Sequence, residues 1–241
     1  GKKIIMRKKW VDEEPRYVGV PGMNEVVKYL ANGLKVYLNT EIIHLDRHKE
    51  NWDLKDGKSQ VYRGFDWVIS TIPSPQVSEL LPKFFLFYDD VKTVEMCASF
   101  SLMLGFKKKW ILDFEAAQIT NTDLSWIAVN SHKPGRDNHF TLMVHSDSEY
   151  AEKHINDNRK EVMQHLIKET SFVLDHDVQE ADYKAIHGWR YANNVNRDRR
   201  TVFLDQNHKL AACGDWCLGG RVEGGFTSAY DLANVMIEKN L

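Results

Sequence analysis

The sequence predicts a mixed α/β fold, and three stretches of the chain carry that prediction. The last 32 residues have the pattern of a short buried strand, a glycine-rich turn and a helix. Residues 65–71 form a mostly apolar strand that ends at the segment Ile-Pro-Ser-Pro, because proline cannot donate to a strand ladder. Between residues 75 and 205, short strands of period-two character accompany the longest helical pattern of the chain, at residues 149–174.

The C-terminal stretch combines features that suit the binding of an anion. Residues 210–213 are apolar and too few for a helix, and residues 214–225 hold five of the fourteen glycines. From Phe226 onward the apolar residues recur at helical spacing and share one face, namely Phe226, Tyr230, Ala233 and Ile237. The first N–H groups of such a helix have no partner within it, and the helix dipole favours negative charge there. Asp215 follows the strand directly and is placed to accept hydrogen bonds from a hydroxyl-bearing ligand. The alternative is a flexible loop before an ordinary helix start.

The details of this stretch resemble a known family. Gly-Asp at a strand end, followed by Arg-Val-Glu-Gly-Gly at a helix start, resembles the last FAD-binding segment of the flavin amine-oxidase superfamily. Within it, the closest likeness is to the bacterial branch of the renalase family. The resemblance implies that the aspartate meets the ribityl chain or pyrophosphate of FAD, and that the helix start lies under the flavin ring. The positions carried over are Gly214, Asp215, Arg221, Val222, Glu223 and Gly224. Gly225 stands where most relatives have alanine, which weakens the helix start slightly and is expected to leave the site intact.

Two earlier segments extend the resemblance. Residues 15–24, Pro-Arg-Tyr-Val-Gly-Val-Pro-Gly-Met-Asn, resemble the segment that leads into the second helix of the family's FAD domain. Residues 65–75 resemble the strand that returns beside the dinucleotide, which implies cofactor contacts at Thr71 and Pro73. The family's adenine contact, made by the backbone, falls at Ile42. Ile42 also suits a core strand residue, and both interpretations can hold.

The resemblance implies a discontinuous arrangement of domains. A partial FAD/NAD(P)-binding, Rossmann-like domain would comprise residues 19–74 and 206–241. It would be interleaved with a substrate domain of residues 1–18 and 75–205, built on a mixed or antiparallel sheet with a long helix. The G-x-G-x-x-G turn that opens such flavoproteins is absent, and so is the βαβ unit around it. We therefore expect the chain to be truncated at its N-terminal dinucleotide-binding unit, which puts FAD binding by this piece alone in question.

Local patterns predict further elements. Asn24 is expected to cap a helix that stops at Asn32-Gly33. A second, shorter helix is predicted at 76–81. Strands are predicted at 3–10, 16–20, 35–38, 41–47, 51–54, 60–62, 97–104, 119–121, 126–130, 140–145, 183–189 and 201–204.

Composition narrows the possible partners and the compartment. The chain has 241 residues, 43% of them hydrophobic, and a formal net charge of −2, so it can build a sizeable core and has no overall attraction to nucleic acid or acidic membrane. No apolar run approaches the ~20 residues that cross a bilayer. The three cysteines, an odd and low number, predict a reducing, cytoplasmic compartment, and no metal site is expected.

Catalytic residues are not identified by the sequence. The ten histidines are scattered, and no nucleophile–base motif is present. Two aromatic segments are candidates for lining a substrate pocket, with Trp126 in one and Trp189, Arg190 and Tyr191 in the other. Ordinary sheet packing is the alternative for the aromatic residues. Arg190 could pair with a phosphate-bearing substrate.

The resemblance implies an enzyme, an FAD-dependent oxidoreductase of renalase-like type. It would take hydride from a small-molecule dihydropyridine, such as a dihydronicotinamide dinucleotide, and pass the electrons to oxygen. The alternatives are a flavin amine oxidase and a non-catalytic, truncated fragment that serves as an interaction domain. The substrate, the oxidant and the oligomeric state are not determined by the sequence.

Overall fold

The structure is a computed structural model that describes residues 17–195 and 200–241. The predicted strand at 3–10 lies outside the described residues, and residues 17–20 are not in a strand. The helices are α1 (Asn24–Leu30), α2 (Ser74–Leu80), α3 (Tyr88–Lys92), α4 (Ser148–His154), α5 (Arg159–Leu174) and α6 (Val222–Glu238). The predicted mixed α/β class is confirmed.

The strands form three sheets. One is antiparallel and runs β1-β2-β3, with β1 (Ile42–His48), β2 (Asn51–Asp56) and β3 (Val61–Phe65). A second has the order β10-β11-β4, with β4 (Val68–Ser70), β10 (Phe203–Asp205) and β11 (Leu210–Ala212). The third has the order β6-β7-β8-β5-β9, with β5 (Met96–Phe106), β6 (Ala116–Gln118), β7 (Leu124–Val129), β8 (Phe140–Ser146) and β9 (Tyr183–Asn194).

The chain divides into two compact units. The first unit comprises residues 17–36 and 98–190 of the described chain, and the second comprises residues 37–97 and 191–241 without 196–199. Both are discontinuous in sequence. Their bounds differ from the predicted domain ranges, because residues 19–36 group with the first unit and residues 75–97 and 191–205 with the second. The assignment of either unit to a cofactor or a substrate is not settled by compactness and stays a prediction.

The first unit is built around one face of the five-stranded sheet. Strand β5 alternates strictly, so that Phe100, Leu102 and Leu104 are buried in the core while the residues between them face the other side. Helix α5 covers this core with Leu166 and Ile167, which are both buried. One face of the sheet is therefore committed to packing, and the residues between these apolar positions lie on the opposite face.

The second unit has its core where the three-stranded sheet β10-β11-β4 meets helices α2 and α3. Leu210 and Ala212 of β11 are buried, and Trp52 and Trp216 are the largest buried side chains of this core. The opposite face of β11 buries Ala211 against Leu232 of α6. Strand β11 is thus covered on both faces, which agrees with its continuously apolar sequence.

The long helix predicted at 149–174 is wrong in one respect, since the structure divides it into α4 and α5. The break falls at Asn156-Asp157-Asn158, residues that favour turns because their side chains compete for backbone hydrogen bonds. The Asn158 side chain caps α5 by accepting a hydrogen bond from the Lys160 N–H at 2.9 Å.

Three further predictions are corrected. Residues 35–38 do not form a strand. Asn24 is the first residue of α1 rather than its cap, and it makes no capping hydrogen bond. The predicted strand at 119–121 lies three residues earlier, as β6.

Helix α6 also begins earlier than Phe226, at Val222. Its predicted apolar face is exposed in the described residues, with Phe226 at 56% and Tyr230 at 58% exposure. The buried face is carried by Gly224, Ser228 and Leu232. Small residues face the sheet there because the helix lies close to the turn that precedes it.

None of the helices within the described part of the chain is both long enough and apolar enough to cross a membrane.

We expect Leu166→Ala to lower the free energy of unfolding of the first unit by about 2–5 kcal/mol. Leu166 is fully buried in the core between α5 and the sheet, so truncation leaves a cavity. Urea unfolding followed by far-ultraviolet circular dichroism measures the loss. Lys168→Ala, an exposed position two residues further along α5, is the matched control and should change stability by no more than about 0.5 kcal/mol. Equal effects at the two positions would contradict this account of the core.

Candidate cofactor and substrate sites

Parallel pairing in the second unit brings the ends of two distant strands together. Strand β11 pairs with β4, with Leu210 opposite Val68 and Ala212 opposite Ser70. The register continues one residue further, where the Cys213 N–H donates to the Ser70 carbonyl at 3.0 Å. The segment that contains Thr71 therefore leaves the sheet beside the glycine-rich turn. The carboxyl edge of parallel strands is where α/β sheets bind ligands.

Trp216 holds together the two segments that follow β4 and β11. Its indole N–H donates to the Ile72 carbonyl at 3.0 Å, and its side chain is buried. Gly214 makes room for this arrangement, since a Cβ there would overlap the Trp216 ring. Pro73 follows Ile72 and stands directly before α2 as its N-cap residue. The predicted cofactor residues Thr71, Pro73 and Gly214 are thus brought into one region.

The turn itself is compact. The Asp215 carbonyl accepts hydrogen bonds from the Leu218 N–H at 3.0 Å and from the Gly220 N–H at 2.9 Å. Gly219 and Gly220 have φ angles of 101° and 74°, in the left-handed region that favours glycine. These glycines reverse the chain within a few residues and direct it into α6.

Ser228 locks the turn to the helix. Its hydroxyl accepts from the Gly214 N–H at 3.1 Å and lies 2.9 Å from the Gly214 carbonyl and 3.1 Å from the Gly225 carbonyl, to either of which it can donate. Ser228 is fully buried. The position of the helix start relative to the strand end is therefore set by one side chain from the second turn of α6.

The Asp215 side chain is available to a ligand. It is half-buried, and its carboxylate makes no hydrogen bond or ion pair with any described residue, whereas its carbonyl makes two. The alternative in which this carboxylate caps the turn through backbone N–H groups is therefore not supported by the contacts.

The start of α6 leaves donors uncapped. Arg221 occupies the cap position in extended backbone, and no side chain hydrogen-bonds to the first turn. Val222 and Glu223 are exposed, whereas Gly224 is buried. A Cβ on Gly224 would lie 3.4 Å from the Leu218 Cβ and 3.5 Å from the Asp215 carbonyl oxygen, so the helix start lies close over the turn. Free N–H groups beside an unpaired carboxylate fit a ligand that carries both anionic oxygens and hydroxyl groups.

The thiols of this region stay protonated. Burial raises the pKa of Cys213, and burial is also the main cause that raises the pKa of Cys217 to about 12. Among the described residues, no group of three or more His, Cys, Asp or Glu side chains is arranged to hold a metal ion.

Ile42 lies in a different sheet. It is half-buried at the start of β1 and pairs with Asp56 beside an irregularity in the ladder. No hydrogen bond or ring contact of the described residues joins it to the glycine-rich turn. The structure therefore groups Thr71, Pro73 and residues 214–224, and does not add Ile42 to them.

In the first unit, a second group of candidate side chains lies on the face of the five-stranded sheet opposite the core. Trp126 on β7 lies opposite His145 on β8, and His145 lies opposite Ser101 on β5. The Trp189 indole of β9 donates to the Ser101 hydroxyl at 3.1 Å. We call these four residues, Trp126, His145, Ser101 and Trp189, the aromatic row.

The hydrogen bonds of the aromatic row are compatible with a neutral histidine, and its surroundings lower its pKa. The Ser101 oxygen accepts from the indole, which can only donate, and lies 3.1 Å from His145 Nδ1. The Ser101 hydroxyl can then donate its single proton to Nδ1 when the His145 imidazole is neutral. Burial, together with the charge of Lys133, lowers the pKa of His145. Burial and Arg136 lower the pKa of Lys133 in turn.

Arg190 does not belong to the aromatic row. It follows Trp189 on β9, and neighbouring residues of a strand point to opposite faces. Its guanidinium donates to the Asn156 side chain at 2.6 Å, in the turn between α4 and α5. Tyr191, the next residue, is half-buried and groups with the second unit. Of the predicted pocket residues, the structure thus brings together Trp126 and Trp189 only.

Sequence reasoning missed Ser101 and His145. Both lie in segments predicted as strands, and alternation alone places each on the face away from the core. The contact between Ser101 and His145 depends on the register between β5 and β8, and the sequence contains no local signal for the pairing of residues 44 positions apart.

Comparison with solved structures identifies the fold. The chain is similar to a protein from Exiguobacterium sp. 255-15 provisionally assigned as a protoporphyrinogen oxidase, with a TM-score of 0.69 and 13% identity over 90% of this chain. It is similar to cyclohexylamine oxidase from Brevibacterium oxydans IH-35A, with a TM-score of 0.67 and 11% identity over 90% of this chain. It is also similar to a triple mutant of putrescine oxidase made to redesign cofactor binding, with a TM-score of 0.63 and 11% identity over 90% of this chain.

These likenesses show the fold, and they cover only part of the other proteins. The chain spans 51% of the first structure and 53% of each of the other two, about half of their length. No protein-family model matches the chain. The described elements therefore adopt a fold found within larger oxidases.

We expect Ser228→Ala to lower the free energy of unfolding by about 1–3 kcal/mol, because the buried Gly214 N–H loses its partner. Thr227→Ala is the control, since Thr227 makes no hydrogen bond through its side chain to a described residue, and it should stay within about 0.5 kcal/mol of the parent. Thermal or urea unfolding measures both. A Ser228→Ala protein as stable as the control would show that the hydroxyl is not needed to hold the turn.

We expect His145 to make stability depend on pH near neutrality. The unfolded side chain titrates at about 6.5 and the folded one below it, so the unfolded state binds more protons in that window. The contribution of His145 is complete above pH 6.5 and is lost progressively as the pH falls through the lower folded pKa. Unfolding at a series of pH values should show that the parent loses more stability on acidification than His145→Asn does. His132→Asn, at an exposed position, should follow the parent, and a parallel course of all three proteins would contradict the assignment.

Proposed function

We propose that this chain forms part of an FAD-dependent oxidoreductase. The observation that carries the proposal is the glycine-rich turn at the carboxyl edge of β4 and β11, with the unpaired Asp215 carboxylate beside an uncapped helix start. The similarity of 90% of the chain to about half of several oxidases supports it. The sequence resemblance to the flavin amine-oxidase superfamily is the reason for proposing FAD as the cofactor.

Each part of the turn has a role toward FAD in this proposal. Asp215 accepts a hydrogen bond from a ribityl hydroxyl, because a carboxylate would repel the pyrophosphate. The N–H groups of Val222, Glu223 and Gly224 offer donors to an electron-rich part of the cofactor. The segment from Thr71 to Pro73 borders the cofactor on the side of β4. When bound, FAD supplies a hydride acceptor, so the protein needs to provide orientation and electrostatics rather than an acid–base pair.

The aromatic row is a candidate surface of the first unit for a ring-bearing substrate. Two indoles and the His145 imidazole offer flat contacts there. The Ser101 hydroxyl holds Trp189 and His145 in place from between them. These residues bind and orient; no proton transfer is required of them.

The substrate class we propose is a dihydropyridine of the dihydronicotinamide type, with electrons passing to oxygen, as the renalase-like resemblance implies. Arg190 is engaged with Asn156, so recognition of a phosphate by Arg190 has no support from its contacts. A flavin amine oxidase is the second candidate, and it is favoured by the names of two similar structures, cyclohexylamine oxidase and putrescine oxidase.

Anaerobic mixing of the FAD-loaded, full-length protein with each substrate type separates the two candidates. Bleaching of the flavin absorbance by reduced nicotinamide isomers supports the dihydropyridine proposal. Bleaching by primary amines alone supports an amine oxidase. A flavin that stays oxidised with both substrate types would contradict an oxidoreductase of either kind.

We expect Asp215→Ala in the full-length protein to weaken FAD binding by about 1.5–3 kcal/mol, the range for a hydrogen bond to a charged group. Because the carboxylate has no partner among the described residues, stability without FAD should not fall. Thermal melts with and without FAD measure both effects. Asp231→Ala, a change of the same charge further along α6, is the control. An equal loss of stability in both conditions would remove Asp215 from the cofactor site.

A further inference from the structure

The first unit contains a cavity on the helix side of its sheet, away from the aromatic row. It has a volume of about 650 Å³ and lies between the turn at 121–123, helix α4 and the first turns of α5. Five carboxylates line it, those of Asp123, Asp147, Glu149, Asp157 and Glu161, against one lysine, Lys153. The wall is therefore predominantly acidic.

An unpartnered hydroxyl faces this cavity. Tyr150 lines it, is only 9% exposed, and its hydroxyl makes no hydrogen bond with any described residue. Burial, reinforced by the charges of Asp123 and Asp157, raises the pKa of Tyr150 to about 12. The hydroxyl therefore stays protonated and keeps both a donor and an acceptor for a ligand. Because the side chain is otherwise packed and lines the cavity, this hydroxyl is a fixed polar group that an occupant of the cavity can contact.

The surrounding side chains hold this arrangement in place. The His165 ring stacks on the Tyr150 ring at 4.9 Å between centroids and 11° between planes, and the His154 ring lies at 4.4 Å. His165 hydrogen-bonds to Asp123, and His154 to Asp157, each at 2.7 Å. The tyrosine and two carboxylates are thus fixed by a shared cluster before any ligand arrives.

The charge and its distribution restrict the ligand. An anion such as phosphate would be repelled by the carboxylates. A metal ion needs several ligands converging on one point, and no such group of His, Cys, Asp and Glu exists among the described residues. The carboxylates instead come from three separate segments, and Glu161 has no ion pair with a described residue. Separated negative charges around a roomy cavity suit a cation whose own charges are spread along a chain.

We propose that this cavity binds a small aliphatic oligoamine, with the Tyr150 hydroxyl and the Glu161 carboxylate as its polar contacts. The ammonium groups donate to the carboxylates and to the phenol oxygen. The site requires no flavin and lies on the opposite side of the sheet from the aromatic row, so it is independent of the proposed oxidoreductase activity.

Isothermal titration of the purified chain with spermidine tests this proposal. We expect saturable binding of one spermidine per chain. Tyr150→Phe keeps the ring and its stacking but removes the hydroxyl, and it should weaken binding roughly five- to tenfold. Circular dichroism and a thermal melt confirm that the variant is folded.

A pair of isosteric variants provides the matched control. Glu161→Gln removes one negative charge from the cavity wall and should weaken binding several-fold. Glu180→Gln makes the same change at an exposed position of the same unit that does not line the cavity, and should leave binding unchanged within a factor of two. Putrescine, with fewer charges, should bind more weakly than spermidine.

Three outcomes would overturn the proposal. One is the absence of saturable binding by the folded chain. A second is evidence of a general charge effect. Either equal weakening of binding by Glu161→Gln and Glu180→Gln or displacement of spermidine by magnesium chloride at equal charge would provide it. A third is tighter binding of an oligolysine peptide than of spermidine at equal charge, which would identify the cavity as part of a peptide-binding surface.

Discussion

The second unit depends on the parallel pairing of two three-residue strands, β4 and β11. Trp216 and Ile72, which extend this contact beyond the strands, are 144 positions apart in sequence. The entropic cost of closing a flexible loop grows only with the logarithm of its length, so a long excursion between the two strands adds little to that cost. The central part of this excursion, residues 98–190, groups with the other compact unit. Without the pairing, Thr71 and Gly214 would have no reason to lie at the same edge.

The glycine-rich turn converts this pairing into a defined site. The strand end, the turn and the helix start are joined through Gly214, whose backbone meets Ser228 and whose missing side chain admits the Trp216 ring. The hydrogen bonds between Gly214 and Ser228 are buried, where an unmet hydrogen bond is costly. The Asp215 carboxylate is the polar group that this network leaves out. Among the described residues this carboxylate has no partner, so it is the group of the turn that a ligand could reach.

The sequence predicts the individual helices and strands of this fold better than it predicts which residues of different strands contact each other. Alternation predicted strands close to β5, β7 and β8, and the apolar run at 210–213 predicted β11, because each pattern reflects burial on one or both faces. The helix at 149–174 was overextended, since its apolar periodicity continues across Asn156-Asp157-Asn158 and concealed a cap. The apolar face of α6 was predicted correctly as a face, yet Phe226 and Tyr230 are exposed, because periodicity does not say which side of a helix packs. Candidate residues on one segment, such as Gly214 and Asp215, were accessible to sequence reasoning. Ser101 and His145 were not, because only strand register joins them.

The two faces of the five-stranded sheet have opposite chemical character, and the alternation of β5 separates them. Phe100 faces the core and contacts Tyr150 at 6.3 Å between ring centroids, beside the carboxylate-lined cavity. Ser101, the next residue, faces the other way and holds a neutral histidine and an indole. The aromatic row and the carboxylate-lined cavity therefore lie within one unit, with a layer of packed apolar side chains between them. On the His145 side of this layer, burial and the charge of Lys133 both lower the pKa of the imidazole, and neither cause involves the carboxylates of the cavity.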